Sequence, residues 1–183
     1  MPPTPRGRRL SVIGCAGAGK TTLAREIARR LGYRHIELDG LYHQPDWQPR
    51  PEDEFRQAVT AALRGDDWII DGNYSVVRPI VLARADLVIW LDLPRPLVMR
   101  QLVLHTLRRR LTRQTLWNGN RERWSNLLSF KPEKSVIAWA WTRHAVHRQR
   151  YLAEMQAAPP ERRYVRLRSL YDRDLWLSTL EAP

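Results

Sequence analysis

The sequence predicts an α/β protein in which a parallel sheet is covered by helices on both faces. Two observations predict it. Five short apolar, β-leaning runs (Arg9–Ile13, His35–Leu38, Trp68–Ile70, Leu87–Leu91 and Tyr164–Leu167) alternate with stretches of helical periodicity. The first run also leads through a glycine-rich turn directly into a helical pattern. Strands that alternate with helices form βαβ units and hence a parallel sheet. In such sheets ligands sit at the carboxyl ends of the strands, so those ends are where site residues are expected.

The first element carries the chemistry. Leu10, Val12 and Ile13 read as a buried strand, and from Gly14 the chain runs Gly-Cys-Ala-Gly-Ala-Gly-Lys-Thr, a complete G-x-x-x-x-G-K-[ST] phosphate-binding loop. A helix from Thr22 to Leu31 follows. Gly14, Gly17 and Gly19 permit backbone shapes that a Cβ forbids and let amides approach a phosphate. Cys15, Ala16 and Ala18 complete the loop, and the helix amino-terminus adds aligned N–H groups. Lys20 is placed for the β and γ phosphates, the Thr21 hydroxyl for Mg²⁺, and Thr22 continues the cradle. The loop therefore predicts binding of a nucleoside triphosphate with Mg²⁺.

The second run ends in Glu37-Leu-Asp-Gly40 and an aromatic, polar loop to Trp47. Asp39 there faces the phosphates and suits an acceptor hydroxyl, as its ligand or its base, or a metal-bound water. Residues 51–63 form a helix with an acidic first turn and Phe55 and Val59 on one face. The third run ends in Asp71-Gly-Asn-Tyr74. An apolar strand ending in aspartate is the usual second half of a phosphate-loop site, so Asp71 is the expected partner of Mg²⁺. Gly72, Asn73, Tyr74 and Arg78 are the expected substrate contacts. Asp92, which follows the fourth run, is a weaker candidate. A short helix is expected over 75–83 and a longer one over 94–113.

From Thr112 to about Pro132 the helical rhythm lapses, around Trp117-Asn-Gly-Asn-Arg-Glu-Arg-Trp124. This stretch reads as a lid, mobile without ligand, that carries arginines from Arg108 to Arg123 toward the transferring phosphate. Arg109 and Arg113 are four apart and share a face if the helix continues. A long helix over 132–155 follows, with Ile137, Ala140/Trp141, Ala145, Arg148 and Leu152 as its inward stripe. A last strand and a closing helix over 172–180 complete one domain, residues 1–183.

Composition narrows the class. The net charge is +12, and because Lys20, Lys131 and Lys134 are the only lysines, the excess is almost all arginine. The basic residues are dispersed, which fits a nucleotide enzyme better than a nucleic-acid footprint. One cysteine cannot form an internal disulfide, which suits a reducing cytoplasm. No apolar run reaches the ~20 residues of a membrane span, and Met1–Arg9 reads as a frayed leader.

Taken together, GCAGAGKTTLA, HIELDGLYHQPDW, EFRQAV, DWIIDGNY and ADLVIWLDLPR resemble the adenylate-kinase-related family called DNA topology modulation proteins, a branch of the small P-loop kinases. The resemblance covers residues 8–113. It implies a three-layer P-loop kinase fold with strand order 2-3-1-4-5, an ATP·Mg²⁺ donor site and an acceptor site under a lid. It matches Gly14–Thr22 to the phosphate loop, Asp39 to the substrate-side acid and Asp71-Gly72 to the Asp-Gly that ends the third strand in adenylate kinases. Those enzymes continue with Phe-Pro-Arg where this chain has Asn73-Tyr74, which argues against AMP as acceptor. The expectation is a cytoplasmic phosphotransferase acting on a small molecule. Its rivals are a nucleotide-dependent nucleic-acid-binding regulator and a nucleotide-binding protein without an acceptor. The acids at 39 and 71 speak against the last.

Overall fold

Residues 8–112, 115–120 and 136–180 are described by the structure, a computed structural model. The strands are β1 (Arg9–Gly14), β2 (Arg34–Glu37), β3 (Trp68–Asp71), β4 (Leu87–Leu91) and β5 (Arg163–Leu167). They form one parallel sheet in the order β2-β3-β1-β4-β5, the order the resemblance implies. The three central strands are apolar on both faces and buried throughout their lengths, apart from the first residue of β1. The outer strands carry Arg34, His35, Arg163 and Arg166, as edges only half covered require.

Alternation along each strand divides the core into two layers. Leu10, Val12, Ile69, Ile89 and Leu91 pack with α1 (Lys20–Leu31), α5 (Arg95–Leu111) and α7 (Leu170–Ser178). Ile70, Trp68, Val88 and Trp90 pack on the other side with α3 (Glu52–Ala62), α4 (Arg78–Arg84) and Tyr151 of α6 (Val136–Gln156). α7 starts in a capping box, with Ser169 accepting from the Asp172 amide and Asp172 from the Ser169 amide. At the amino ends of the strands, Arg9 pairs with Asp86 at 2.6 Å and Arg8 with Asp67, so part of the basic excess is neutralised locally.

Two readings need correction. Asp39 is not at a strand end or turn but in a short helix, α2 (Leu38–Tyr42). The inward stripe of α6 runs through Ala140, His147 and Tyr151, while Trp141, Ala145 and Arg148 are exposed. Polar atoms explain the offset. His147 is buried against the Trp139 ring and bonded to the Tyr151 hydroxyl, and His144 bonds the Leu93 carbonyl at 3.1 Å, so histidines occupy positions that hydropathy assigns to apolar residues. The leader over 1–7, Arg113, and most of the proposed lid, with Arg121 and Arg123, lie outside the described residues. Among the described residues no helix is long and apolar enough to cross a membrane.

Candidate active site

The phosphate loop crosses the carboxyl end of β1 and caps α1. Gly17 has φ +86°, and a Cβ there would lie 2.7 Å from Leu102 Cβ and 2.8 Å from the Val98 carbonyl oxygen. Close seating of α5 on the loop thus requires glycine. The Ala18 amide bonds the Cys15 carbonyl at 3.1 Å, and Lys20 Nζ donates to that same carbonyl at 3.1 Å. Cys15 is buried beside the Ala140 carbonyl, and burial pushes its thiol pKa up, against a smaller downward pull from Lys20. It is a packed loop residue and not an activated thiol.

Beside the loop, the Thr21 hydroxyl donates to Asp71 Oδ1 at 3.0 Å. His35 Nε2 lies 2.8 Å from the other carboxylate oxygen. Behind His35 stands Glu37, which accepts from Trp117 Nε1 at 2.7 Å and from Arg25 at 3.1 Å. A buried aspartate is thus held at both oxygens, one by the loop threonine and one by a neighbouring strand. Thr21 and Asp71 offer the hard oxygen donors that Mg²⁺ prefers. Among the described residues no group of three or more His, Cys, Asp or Glu forms a protein-only metal cage. Two protein oxygens beside the phosphate loop suit an ion that completes its shell with nucleotide phosphates and water, so the residues present fit Mg²⁺.

A cavity of about 420 Å³ opens from the loop and reaches Asp39. Ala16, Lys20, Asp39, Gly72, Asn73, Tyr74 and Arg109 line it, which brings seven of the expected residues together. His43 and Trp47, from the aromatic loop after the second run, line it as well, as do Thr106, Trp117 and Trp139. The Tyr74 hydroxyl donates to Asp39 Oδ1 at 2.6 Å. Burial first, then Asp39, raises the Tyr74 pKa far above its ordinary value, so the phenol stays protonated as a donor. Burial lowers the His43 pKa, against a smaller upward pull from Asp39. Asn73 donates to the Gly14 carbonyl, which fastens the acceptor wall to the loop.

Residues 115–120 lie against the loop after α2. Trp117 packs edge-on at Gly40, and Asn118 Nδ2 donates to the His43 carbonyl at 2.5 Å. Asn120, buried, donates to the Gln44 carbonyl at 2.8 Å and accepts from the Trp47 amide at 2.8 Å. Asp46, Trp47 and Asn118 all have left-handed backbones, and these side-chain bonds hold the turns in place. The Asn-Gly-Asn triplet offered this signal. Asparagine tolerates left-handed φ and bonds nearby backbone, so the triplet marks a side-chain-tied turn.

Three of the candidate residues have packing roles. Arg78 is bound to Glu154 by its Nε at 2.7 Å and lies 4.6 Å over the Tyr151 ring, so it braces α4 on α6 and does not line the cavity. Gly72 lines the cavity, and its Cβ direction (φ +138°) is filled by Leu38, 2.6 Å away, so packing of α2 also requires glycine there. Asp92 is buried between Arg166 at 2.5 Å and Arg148 at 3.1 Å, a cross-link between β5 and α6.

No family model matches the chain. A shikimate kinase of Synechococcus elongatus is 31% identical over 140 residues, 65% of this chain and 74% of that protein. A provisionally named adenylate kinase of Pyrococcus abyssi is 30% identical over 80 residues, 40% of this chain and 44% of that protein. Among solved structures, a shikimate kinase from Bacteroides thetaiotaomicron superposes with a TM-score of 0.55 at 16% identity, over 94% of this chain and 95% of that one. The last likeness is one of fold. The relatives meet the resemblance at the level of small P-loop kinases and do not reach its DNA topology branch.

Proposed function

The chain belongs to the shikimate kinase family of P-loop kinases, and on that premise we propose that it is an ATP- and Mg²⁺-dependent phosphotransferase acting on a small hydroxyl-bearing molecule. One observation carries the proposal. A single cavity joins the phosphate-loop lysine, Lys20, to a carboxylate, Asp39, with Asn73 between them bonded to the loop. Such a space accommodates a donor phosphate at one end and an acceptor at the other, which is what in-line transfer needs.

In this reading the loop amides and Lys20 hold the β and γ phosphates. Thr21 and Asp71 would hold Mg²⁺, which supplies positive charge to the phosphate oxygens. His35 fixes the second oxygen of Asp71, so the carboxylate is oriented in advance. Asp39, steadied by the Tyr74 hydroxyl, accepts the proton of the acceptor hydroxyl. The hydroxyl oxygen forms a bond to the γ-phosphorus, the bond from that phosphorus to the β–γ bridging oxygen breaks, and ADP leaves with the electron pair. Arg109 lies over the same cavity, where it stabilises charge on the equatorial oxygens, with Arg113 as the further candidate. Closure of the 112–132 lid over both substrates belongs to this proposal. Transfer from γ-labelled ATP to a panel of small alcohols, with the Lys20→Ala protein as control, tests it. Undiminished transfer by a folded Lys20→Ala protein overturns it.

A further inference from the structure

A cluster of polar side chains fills the space between β2, β3 and α1. Parallel pairing sets Glu37 opposite Asp71 and His35 opposite Ile69, so His35, Glu37 and Asp71 share one face of the sheet. Thr21 and Arg25, one turn apart on α1, meet them there. Glu37 is bound differently at its two oxygens. Oε2 accepts from the Trp117 indole N–H at 2.7 Å. Oε1 accepts from Arg25 at 3.1 Å and lies 3.7 Å from His35 Nδ1. The other nitrogen of that ring, Nε2, is 2.8 Å from Asp71 Oδ2, and because an ionised carboxylate only accepts, Nε2 carries the hydrogen. Trp117 meanwhile stands against Gly40, its Cδ1 2.9 Å from where a Cβ would lie, and lines the cavity. One carboxylate thus touches a wall of the acceptor end on one side. On the other it reaches the metal-side aspartate through a single imidazole.

We propose that Glu37 is a positioning residue shared by both ends of the cavity. Its Oε2 seats the Trp117 wall, and its Oε1 holds the His35 ring in the orientation that keeps Asp71 ready for Mg²⁺. The proposal rests on the kinase reading and deepens it. A plain surface ion pair does not account for the arrangement. Arg25 is 68% exposed, so its pair with Glu37 adds little, whereas Glu37 and His35 are only 22% and 15% exposed. A carboxylate so far withdrawn from water is costly unless its lone pairs are used, and Trp117, Arg25 and His35 use them. In-line transfer also tolerates little error, since a misplacement of about 1 Å can lower the rate about 10²-fold. Asp71 ends β3, while the Trp117 wall comes from the 115–120 turn. A side chain tied to both fixes one relative to the other. Trp117 and His35 each serve one end, and Glu37 is the residue whose loss is felt at both.

The test needs no acceptor. On the full chain it reads MgATP affinity by calorimetry, ATP affinity in EDTA, and hydrogen exchange of the Leu116 and Asn120 amides, which are bonded within the 115–120 turn. Glu37→Ala should weaken MgATP binding several-fold and leave ATP binding in EDTA within about twofold. It should also speed exchange in the turn several-fold, with exchange in α7 unchanged. His35→Phe should weaken MgATP binding alone, and Trp117→Phe should loosen the turn alone. Glu37→Gln keeps an oxygen for Trp117 but loses the charge beside Arg25 and His35, so it should restore the turn and not MgATP affinity. That variant carries the test if Glu37→Ala does not fold. Loss at one end only in Glu37→Ala overturns the proposal. So does equal weakening of ATP binding with and without Mg²⁺, exchange that rises as much in α7 as in the turn, or wild-type behaviour of Glu37→Gln in both readouts. A wild-type chain that does not bind MgATP overturns the kinase reading itself.

Discussion

The two ends of the cavity are built in opposite ways. The donor end is one continuous stretch, residues 14–22, joined by Asp71 through Thr21, and its shape comes from the backbone and from helices packed on it. The acceptor end is assembled from three stretches, 37–47, 72–74 and 115–120, joined by side-chain hydrogen bonds. A backbone-built site depends on a few glycines and one lysine and is indifferent to most neighbours. A side-chain-built site depends on every partner and can change its ligand by changing one. The two ends should therefore fail separately.

The largest expected break is Lys20→Ala. Loss of the loop cation should lower phosphoryl transfer by about 10³-fold, while the melting temperature stays within a few degrees because Lys20 faces the cavity. Steady-state transfer and a thermal melt check both halves of that statement. Gly17→Ala attacks the same end through the fold. The strained φ and the approach of Leu102 and Val98 should cost about 2–3 kcal/mol in urea unfolding and should weaken nucleotide binding more than acceptor binding.

A third break acts by pH on the packing of α6. Burial first, then Arg150, Lys20 and other cations, holds the His147 pKa down to about 4, against an ordinary value of 6.5. The unfolded chain takes up that proton first, so the stability is fully present above pH 6.5 and is lost as pH falls toward 4. Between pH 7 and 5 the loss should be about 2 kcal/mol, and His147→Gln should remove most of that slope in urea midpoints. The smallest effect is expected from Trp117→Phe. It keeps an aromatic ring over Gly40 but deletes the 2.7 Å bond to Glu37, worth about 1 kcal/mol. The acceptor KM should rise several-fold and MgATP affinity should not change.

The same contrast explains what could be read in the sequence. The loop was legible because Gly-x-x-x-x-Gly-Lys-Thr between a strand and a helix has few other uses, whereas strand order was implied by the resemblance to the small P-loop kinases and not by the runs themselves. Asp39 was found by its place after the second run. His35 and Glu37 were not found, because their role exists only once β2 lies beside β3 and Trp117 arrives from 80 residues away. Arg78 was misplaced because spacing shows which residues are near a strand end, and Glu154, which takes it, lies 76 residues on. The α6 stripe was misplaced because histidines with partners pack as core.

The central claim is that Asp71 serves the donor end and Asp39 the acceptor end of one cavity. Comparing Asp71→Asn with Asp39→Asn, by MgATP calorimetry and acceptor-dependent ADP release on the same preparations, tests it directly. Asp71→Asn should weaken MgATP binding by about tenfold or more, because it removes the charge between Thr21 and His35. Asp39→Asn should leave MgATP affinity within a few-fold and lower acceptor-dependent turnover by about 10² or more. Equal loss of MgATP binding in both proteins, or undiminished turnover in Asp39→Asn, would contradict the account.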